Sequence, residues 1–527
     1  MMARRPWHSD RVTLGRGRAG ARRGAVTAAV VLVACSCSTP TVPPAAPRRT
    51  ASSSPATTTT TTTTPTGAVA PVAWAPCGDD LQCGSVTVPL DYSRPRAATL
   101  RIALERRPAS DPSQRIGSLV INPGGPGTSG IDDLTNELSV LTPELLQRFD
   151  IVSFDPRGVQ RSDPVTCQPA SAPSGGPPTS SSPSPLPDPV PDSPATQRAL
   201  VAGDRAYAAA CEKYSGALLG EVGTVNVVRD LDRIRAALGD ARLTFVGHSY
   251  GTLIGALYAQ MYPTHVRAMV LDGAIDPALG TDQMVLDQAE GFESVLDQFF
   301  RWCASTTSCP WHPGADPTAD LLRLIDASRT TPLSAAGGSA GPGDFYDALL
   351  DDLYARSSWP SLGAALAQAS VGDGTDLVSS AHTYATGGST NGGDVNNAVN
   401  CLDHPVSRQL STYPALAAKA AAAAPVFGPL LVWGLVQCAV WPVPPDRSPA
   451  PVSAAAAPPI LVVGATGDPA TPYAWAVALA KQLRHGELLS WQGTNHVAYF
   501  YSPCVRAWDQ SYLVSGTLPP PGTTCTD

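Results

Sequence analysis

The feature that most restricts how this chain can fold is a nine-residue run from Leu243 to Gly251, reading L-T-F-V-G-H-S-Y-G. Leu243 to Val246 reads as a buried strand and Thr252 to Tyr262 as a helix, with G-x-S-x-G between them. A chain that passes from strand to helix in so few residues must turn sharply, and a side chain at Gly247 or Gly251 would collide with its neighbours. The turn then carries Ser249 at its tip with the hydroxyl outward, which makes Ser249 the candidate nucleophile.

The surrounding sequence fits that element. Ser85 to Leu90 and Thr99 to Glu105 alternate apolar with polar and read as an opening hairpin. Short apolar runs follow at Ser118 to Asn122, Ile151 to Phe154, Leu243 to Val246, Ala268 to Leu271, Ile460 to Val463 and Glu487 to Trp491, each closing on Gly, Asp or Pro or beside one. Runs of this kind are strands buried on both faces, and helical patterns such as Val225 to Leu238 lie between them. Strand and helix alternate, so the expected class is α/β with a mostly parallel, doubly wound sheet. The alternation breaks from Asp276 to Ser453, where helices and loops dominate. The expected organisation is therefore a core over 73–275, an inserted cap over 276–453, and the rest of the core over 454–527. A Pro/Ser-rich stretch over 170–195 reads as a disordered surface loop.

The first residues read as an export signal over 1–34: seven arginines precede an apolar run, Ala25 to Ala34, too short to span a bilayer. The run ends L-V-A-C, which marks Cys35 for lipidation, with an ordinary signal peptide as the alternative. Residues 35–72, with eight consecutive threonines from Thr57 to Thr64, read as a disordered tether. Membrane contact is expected through that lipid alone. The apolar stretch Ala420 to Trp441 is interrupted by Pro425 and Pro429 and reads as buried. The chain has 36 Lys+Arg against 44 Asp+Glu, and seven of those arginines sit in the signal, so a nucleic-acid partner is not expected.

Twelve cysteines in an exported chain are read for pairing. With Cys35 and Cys37 set aside, their order suggests that neighbours pair: Cys77 with Cys83, Cys167 with Cys211, Cys303 with Cys309, Cys401 with Cys438 and Cys504 with Cys525. Sequence alone leaves other pairings open. The folded part holds no C-x-x-C and no H-E-x-x-H, so no metal is implied, nor is any organic cofactor.

A serine hydroxyl needs a base within hydrogen-bond reach and an acid to orient that base, here in the chain order Ser, acid, His. Asp468 follows the strand at Ile460 to Val463 and His496 follows the last strand, each at the position required. Asp155, which also ends a strand, is the rival acid. His248, His265, His312, His382 and His485 read as structural, and His404 beside Asp403 stays open. For the oxyanion, backbone N–H donors are expected from Tyr250 and from the loop Asn122 to Gly127, at Gly125 or, failing that, Gly124.

Together, N-P-G-G-P-G at 122–127, D-P-R-G at 155–158, S-D-P at 162–164, G-H-S-Y-G-T at 247–252, C-L-D at 401–403, C-A-V-W-P at 438–442, G-D-P-A-T-P at 467–472 and N-H at 495–496 resemble the bacterial secreted tripeptidyl aminopeptidases. These are α/β-hydrolase serine peptidases related to proline iminopeptidases, and the likeness runs over residues 73 to 527. Gln160 departs from the pattern, which often has Gly there. The resemblance implies an α/β-hydrolase fold, a peptide substrate with a free N-terminus, and acidic groups that hold its amine. Asp403 is the residue suggested for that amine, with an ion pair inside the cap as the other reading. Two further functions stay open on the same sequence: hydrolysis of esters or other envelope acyl groups, and a binding protein on a catalytically dead hydrolase fold. Intact Ser249, Asp468 and His496 count against the last.

Overall fold

The computed structural model describes residues 69–168, 184–386 and 390–527. The expected signal, Cys35 and the tether up to residue 68 lie outside the described residues.

Ten strands make one sheet: β1 (Ala75–Gly78), β2 (Leu81–Pro89), β3 (Thr99–Arg107), β4 (Gly117–Asn122), β5 (Phe149–Phe154), β6 (Leu243–His248), β7 (Val266–Asp272) and, past the small hairpin of β8 (Leu333–Ala335) and β9 (Gly338–Ala340), β10 (Ile460–Ala465), β11 (Gly486–Trp491) and β12 (Thr524–Cys525). Their spatial order is β1-β2-β3-β5-β4-β6-β7-β10-β11-β12. The first three pair antiparallel, β3 meets β5 antiparallel, and every later pairing is parallel. All eight strands read from the sequence are present. The short edge pieces β1 and β12 and the hairpin β8–β9 carry too few residues for a periodic signal.

The sheet is buried on both faces because alternate side chains along each central strand serve different cores. Val120, Val152, Phe245 and Val462 pack with Val227, Leu231, Leu253 and Ile254 of helices Thr224–Ala237 and Tyr250–Met261. Their neighbours Leu119, Ile151, Val246 and Leu461 pack on the other side with Leu134, Leu145, Val505 and Leu513. A single-residue slip of any strand would exchange the two cores, so the apolar runs fix the register.

Between β7 and β10 the chain is helical, and it is not one body with one core. Helices Thr281–Ser305, Pro317–Thr330, Pro342–Leu353, Trp359–Ala369 and Thr375–Thr386 close around Phe292, Phe299, Leu349 and Trp359. Helix Gly392–Asp403 instead gives Val395, Ala398, Val399 and Leu402 to the core under the sheet, as does Trp441. Past that helix the chain returns to the first core with Val426, Phe427 and Leu430, so the span 276–453 serves both cores.

The five neighbouring cysteine pairs are all disulfides. Of the loop expected over 170–195, residues 170–183 lie outside the described residues. The remainder is placed: the Leu186 N–H donates to Asp344 at 3.1 Å, and a helix begins at Pro194, with Ser193 and Thr196 closing its first turn. That corrects the far end of the expected loop. Ala420 to Trp441 folds as three short helices ending at Ala421, Gly434 and Ala439, and among the described residues no helix is long and apolar enough to cross a membrane.

Candidate active site

The site is built at the carboxyl ends of β4, β6, β10 and β11. At the end of β6 the turn is as tight as G-x-S-x-G requires: a Cβ on Gly247 would lie 2.4 Å from the Gly251 carbonyl oxygen, and one on Gly251 would lie 2.6 Å from that of Asn122. Ser249 itself sits at φ 54°, ψ −122°, a conformation costly for a residue with a side chain and held here by its surroundings. Its N–H donates to the Asp272 carbonyl at 2.9 Å, and helix Tyr250–Met261 starts at the next residue.

Asp468 and His496 come from different strand ends and meet. His496 Nδ1 lies 2.9 and 3.0 Å from the two Asp468 carboxylate oxygens. The carboxylate is fully buried and accepts three more hydrogen bonds, from the Ala470 N–H at 2.9 Å, the Thr471 N–H at 2.8 Å and the Thr471 hydroxyl at 3.0 Å. That many donors fix the carboxylate in direction. The His496 N–H donates to the Tyr354 carbonyl at 2.9 Å, and the Tyr354 ring stands edge-on to the imidazole. His496 Nε2 is buried without a hydrogen-bond partner among the described residues, and the ring lines the same cavity as Ser249.

That cavity has a volume of about 600 Å³. One wall is the glycine loop, where the Gly124 N–H is taken by Asn122 Oδ1 at 3.1 Å, which leaves Gly125 as the donor of the pair with no acceptor among the described residues. The opposite wall comes from the insertion: Asp347, Asp351, Tyr354 and Tyr384, with Asn396 and Asn397 beside them. Asp133 completes three carboxylates, and no Lys or Arg is among the described lining residues. Burial pushes the Asp347 carboxyl up to about 7, with Asp344 adding to it, and also raises Asp351 and Asp133.

Asp403, the residue suggested for the amine, is not in the cavity. It is fully buried, and its carboxylate accepts from the Thr224 N–H at 3.0 Å and from the Thr224 hydroxyl, which also touches the Tyr250 hydroxyl. Burial raises its carboxyl to about 6 despite the Thr224 bonds. Asp403 thus ties helix Gly392–Asp403 to helix Thr224–Ala237 and has no face for a ligand. His404 beside it is likewise sealed in, and burial drives it down to about 3.

The rival acid Asp155 is elsewhere as well: it accepts from the Ser129 hydroxyl, the Ile131 N–H at 3.3 Å and Arg161, and so holds the start of helix Gly130–Val140. Gln160, where a Gly is common, adopts φ 32° and is held by Asn391 Oδ1 on its N–H at 3.1 Å. His248 is buried but reaches the cavity, with Nε2 3.4 Å from the Glu137 carboxylate. Burial opposes its charge, yet Glu137, with Asp272 and Asp133 adding to it, outweighs burial and lifts the imidazole to about 9.

The sequence reading missed Asp347 and Asp351. Their i, i+4 spacing in the run F-Y-D-A-L-L-D-D-L, on the side of the helix away from Phe345 and Leu349, was the available signal.

Sheet topology and the strand-end site together define an α/β hydrolase. Residues 117–313 match the alpha/beta hydrolase fold family and residues 424–525 the TAP-like protein family. Serine protease Hip1 of Mycobacterium tuberculosis is 36% identical over 486 residues, covering 86% of this chain and 91% of that one. Tripeptidyl aminopeptidase of Streptomyces lividans is 33% identical over 480 residues, with 87% of each chain covered. Carboxylesterase B of Mycobacterium tuberculosis is 33% identical over 462 residues, covering 84% and 86%. The chain belongs to the bacterial tripeptidyl aminopeptidase family of α/β hydrolases and is a serine hydrolase.

Proposed function

We propose that the protein is an exported serine aminopeptidase that releases short peptides from a free N-terminus, with Ser249 as nucleophile, His496 as base and Asp468 as the acid that orients it. Asp468 on Nδ1 holds the imidazole in the tautomer whose Nε2 can take the Ser249 proton. As Ser249 Oγ attacks the scissile carbonyl, the oxyanion is received by the N–H groups of Tyr250 and Gly125. Collapse of that intermediate passes the proton from His496 to the leaving amine. Water, activated by the same imidazole, then frees the acyl group from Ser249.

The observation that carries the aminopeptidase reading is the charge of the cavity: among the described lining residues Asp133, Asp347 and Asp351 face it with no Lys or Arg, against the single imidazolium of His248, which is paired with Glu137. An ammonium is the group such a wall suits, whereas an ester substrate gives it no partner. The carboxylesterase relative favours a second reading, acyl-ester hydrolysis by the same serine. Cys35, placed after the apolar run, supports attachment of the exported chain to the membrane by lipid.

A tripeptide arylamide with a free amine, assayed against its N-acetylated twin, tests the assignment with Ser249→Ala as control. Cleavage of the free form alone, abolished in the variant, is the expected result. Equal cleavage of both would remove the exopeptidase claim, and cleavage of neither alongside turnover of an aryl ester would favour the esterase.

A further inference from the structure

Resting on the triad reading above, we infer that Asp272 is a positioning residue that sets Ser249 and His496 relative to one another, its main-chain carbonyl holding the first and its carboxylate the turn after the second.

Asp272 is the last residue of β7 and stands directly beside His248 in the β6–β7 register. Its carbonyl oxygen accepts the Ser249 N–H at 2.9 Å. Its carboxylate reaches the loop beyond β11, where Oδ1 accepts the Ala498 N–H at 3.1 Å and Oδ2 the Tyr499 N–H at 2.7 Å. One residue thus bonds to the chain on both sides of the reacting pair. The next residue, Gly273 at φ 69°, fills the space between: a Cβ there would lie 3.3 Å from His496 Cε1 and 3.3 Å from Thr471 Oγ1.

Two observations make this more than packing. Val497, immediately after His496, sits at φ 64°, a region that a β-branched residue leaves unless its surroundings hold it. The two carboxylate bonds fall on the two residues that follow, which pins that turn. In addition, Asp272 is fully buried, and among the described residues no Lys or Arg bonds to it; the neighbouring His248 imidazole attracts it without a hydrogen bond, while its two carboxylate oxygens are given to the Ala498 and Tyr499 N–H groups. A buried carboxylate is costly, and an apolar side chain would fill the same space without that cost. What an apolar side chain could not do is accept two N–H groups at once.

Asp272→Asn keeps the shape but turns an NH₂ toward one of the two donors. The test measures kcat and KM on p-nitrophenyl acetate and on the tripeptide arylamide, with active sites counted by a fluorophosphonate and Tm recorded alongside. Misplacement of reacting groups by about 1 Å can cost on the order of 100-fold, so kcat per titrated site should fall about 10- to 100-fold with KM within twofold. Asp272→Ser, which retains one acceptor and adds no amide, should behave similarly. An unchanged kcat per site, or kcat and KM moving together, overturns the inference. Failure of both variants to yield titratable protein also overturns it, because Asp272 would then be a determinant of folding alone. Ser249→Ala run in parallel separates the two claims. If that variant keeps wild-type turnover, the triad reading itself fails; if it is dead while Asp272→Asn is normal, only this inference does.

Discussion

The two walls of the cavity are made in different ways. On the sheet side, Ser249, Asp468, His496 and Gly125 each sit within a few residues of a strand end, and main-chain bonds hold Ser249 to Asp272 and His496 to Tyr354. On the insertion side, Asp347, Asp351 and Tyr384 stand on two helices, with Tyr354 just past the end of the first, that reach the cavity only because Phe345, Leu349 and Leu377 pack into a separate apolar core. The first wall is rigid and polar by construction, which suits chemistry. The second is placed by packing over long sequence distances, which leaves Asp347, Asp351 and Tyr384 free to differ without disturbing the first, while Tyr354 is tied to His496.

The division predicts that damage to the sheet wall stops turnover of every substrate alike. Asp468→Asn should lower kcat by about 10⁴-fold, the scale seen when a triad imidazole is held in the wrong tautomer, on aryl ester and peptide arylamide together. Ser249→Ala should do at least as much, since the members of such a unit fail together. KM should change little in either variant, and steady-state kinetics on both substrates reads this directly. A large loss on the arylamide with normal ester turnover would break the comparison, because the sheet wall would then be choosing substrates.

The same division explains what could be read from residues alone. Ser249, Asp468 and His496 could be named because strand, turn and residue type are neighbours in sequence, and G-x-S-x-G has no cheaper use between a strand and a helix. The eight strands were legible for a related reason: six-residue stretches buried along their whole length, such as Ile460–Ala465, leave a continuous apolar trace. Asp403 misled because a motif beside a cysteine says nothing of where its carboxylate points. Only the packing of helix Gly392–Asp403 against Thr224 shows that it points inward. Asp347 and Asp351 were invisible as a pair for the converse reason, since helix Pro342–Leu353 reads as an ordinary amphipathic helix until its neighbours are known. Asp272 was hidden because its partners are main-chain N–H groups 226 and 227 residues away.

Damage to the insertion wall should be smaller and selective. Asp347→Asn combined with Asp351→Asn should raise KM for the free-amine arylamide about tenfold, which corresponds to about 1.4 kcal/mol, the order expected for a charge-assisted bond to an ammonium. The N-acetylated twin and the aryl ester should be unaffected, and Tm should not fall. It should rise slightly near neutral pH: a carboxyl raised from 3.8 to about 7 by burial contributes stability that is fully present below about 3.8 and lost as pH climbs from there to about 7, so removing its charge removes that loss.

The smallest effect is also the sharpest. In the free enzyme Asp347 is ionised only above about 7, while a substrate α-amine, with a pKa of about 8, begins to lose its charge soon afterwards. KM for the free-amine substrate should therefore fall several-fold between about pH 6 and 7.5 and rise again toward about pH 9. In Asp347→Asn the acid limb should flatten and the alkaline limb remain. Were both limbs to survive in Asp347→Asn, the amine would be held by another of the lining carboxylates, and Asp133, on the sheet side of the cavity, would be the next to replace. Recognition and chemistry would then share one wall, and the comparison drawn above would no longer hold.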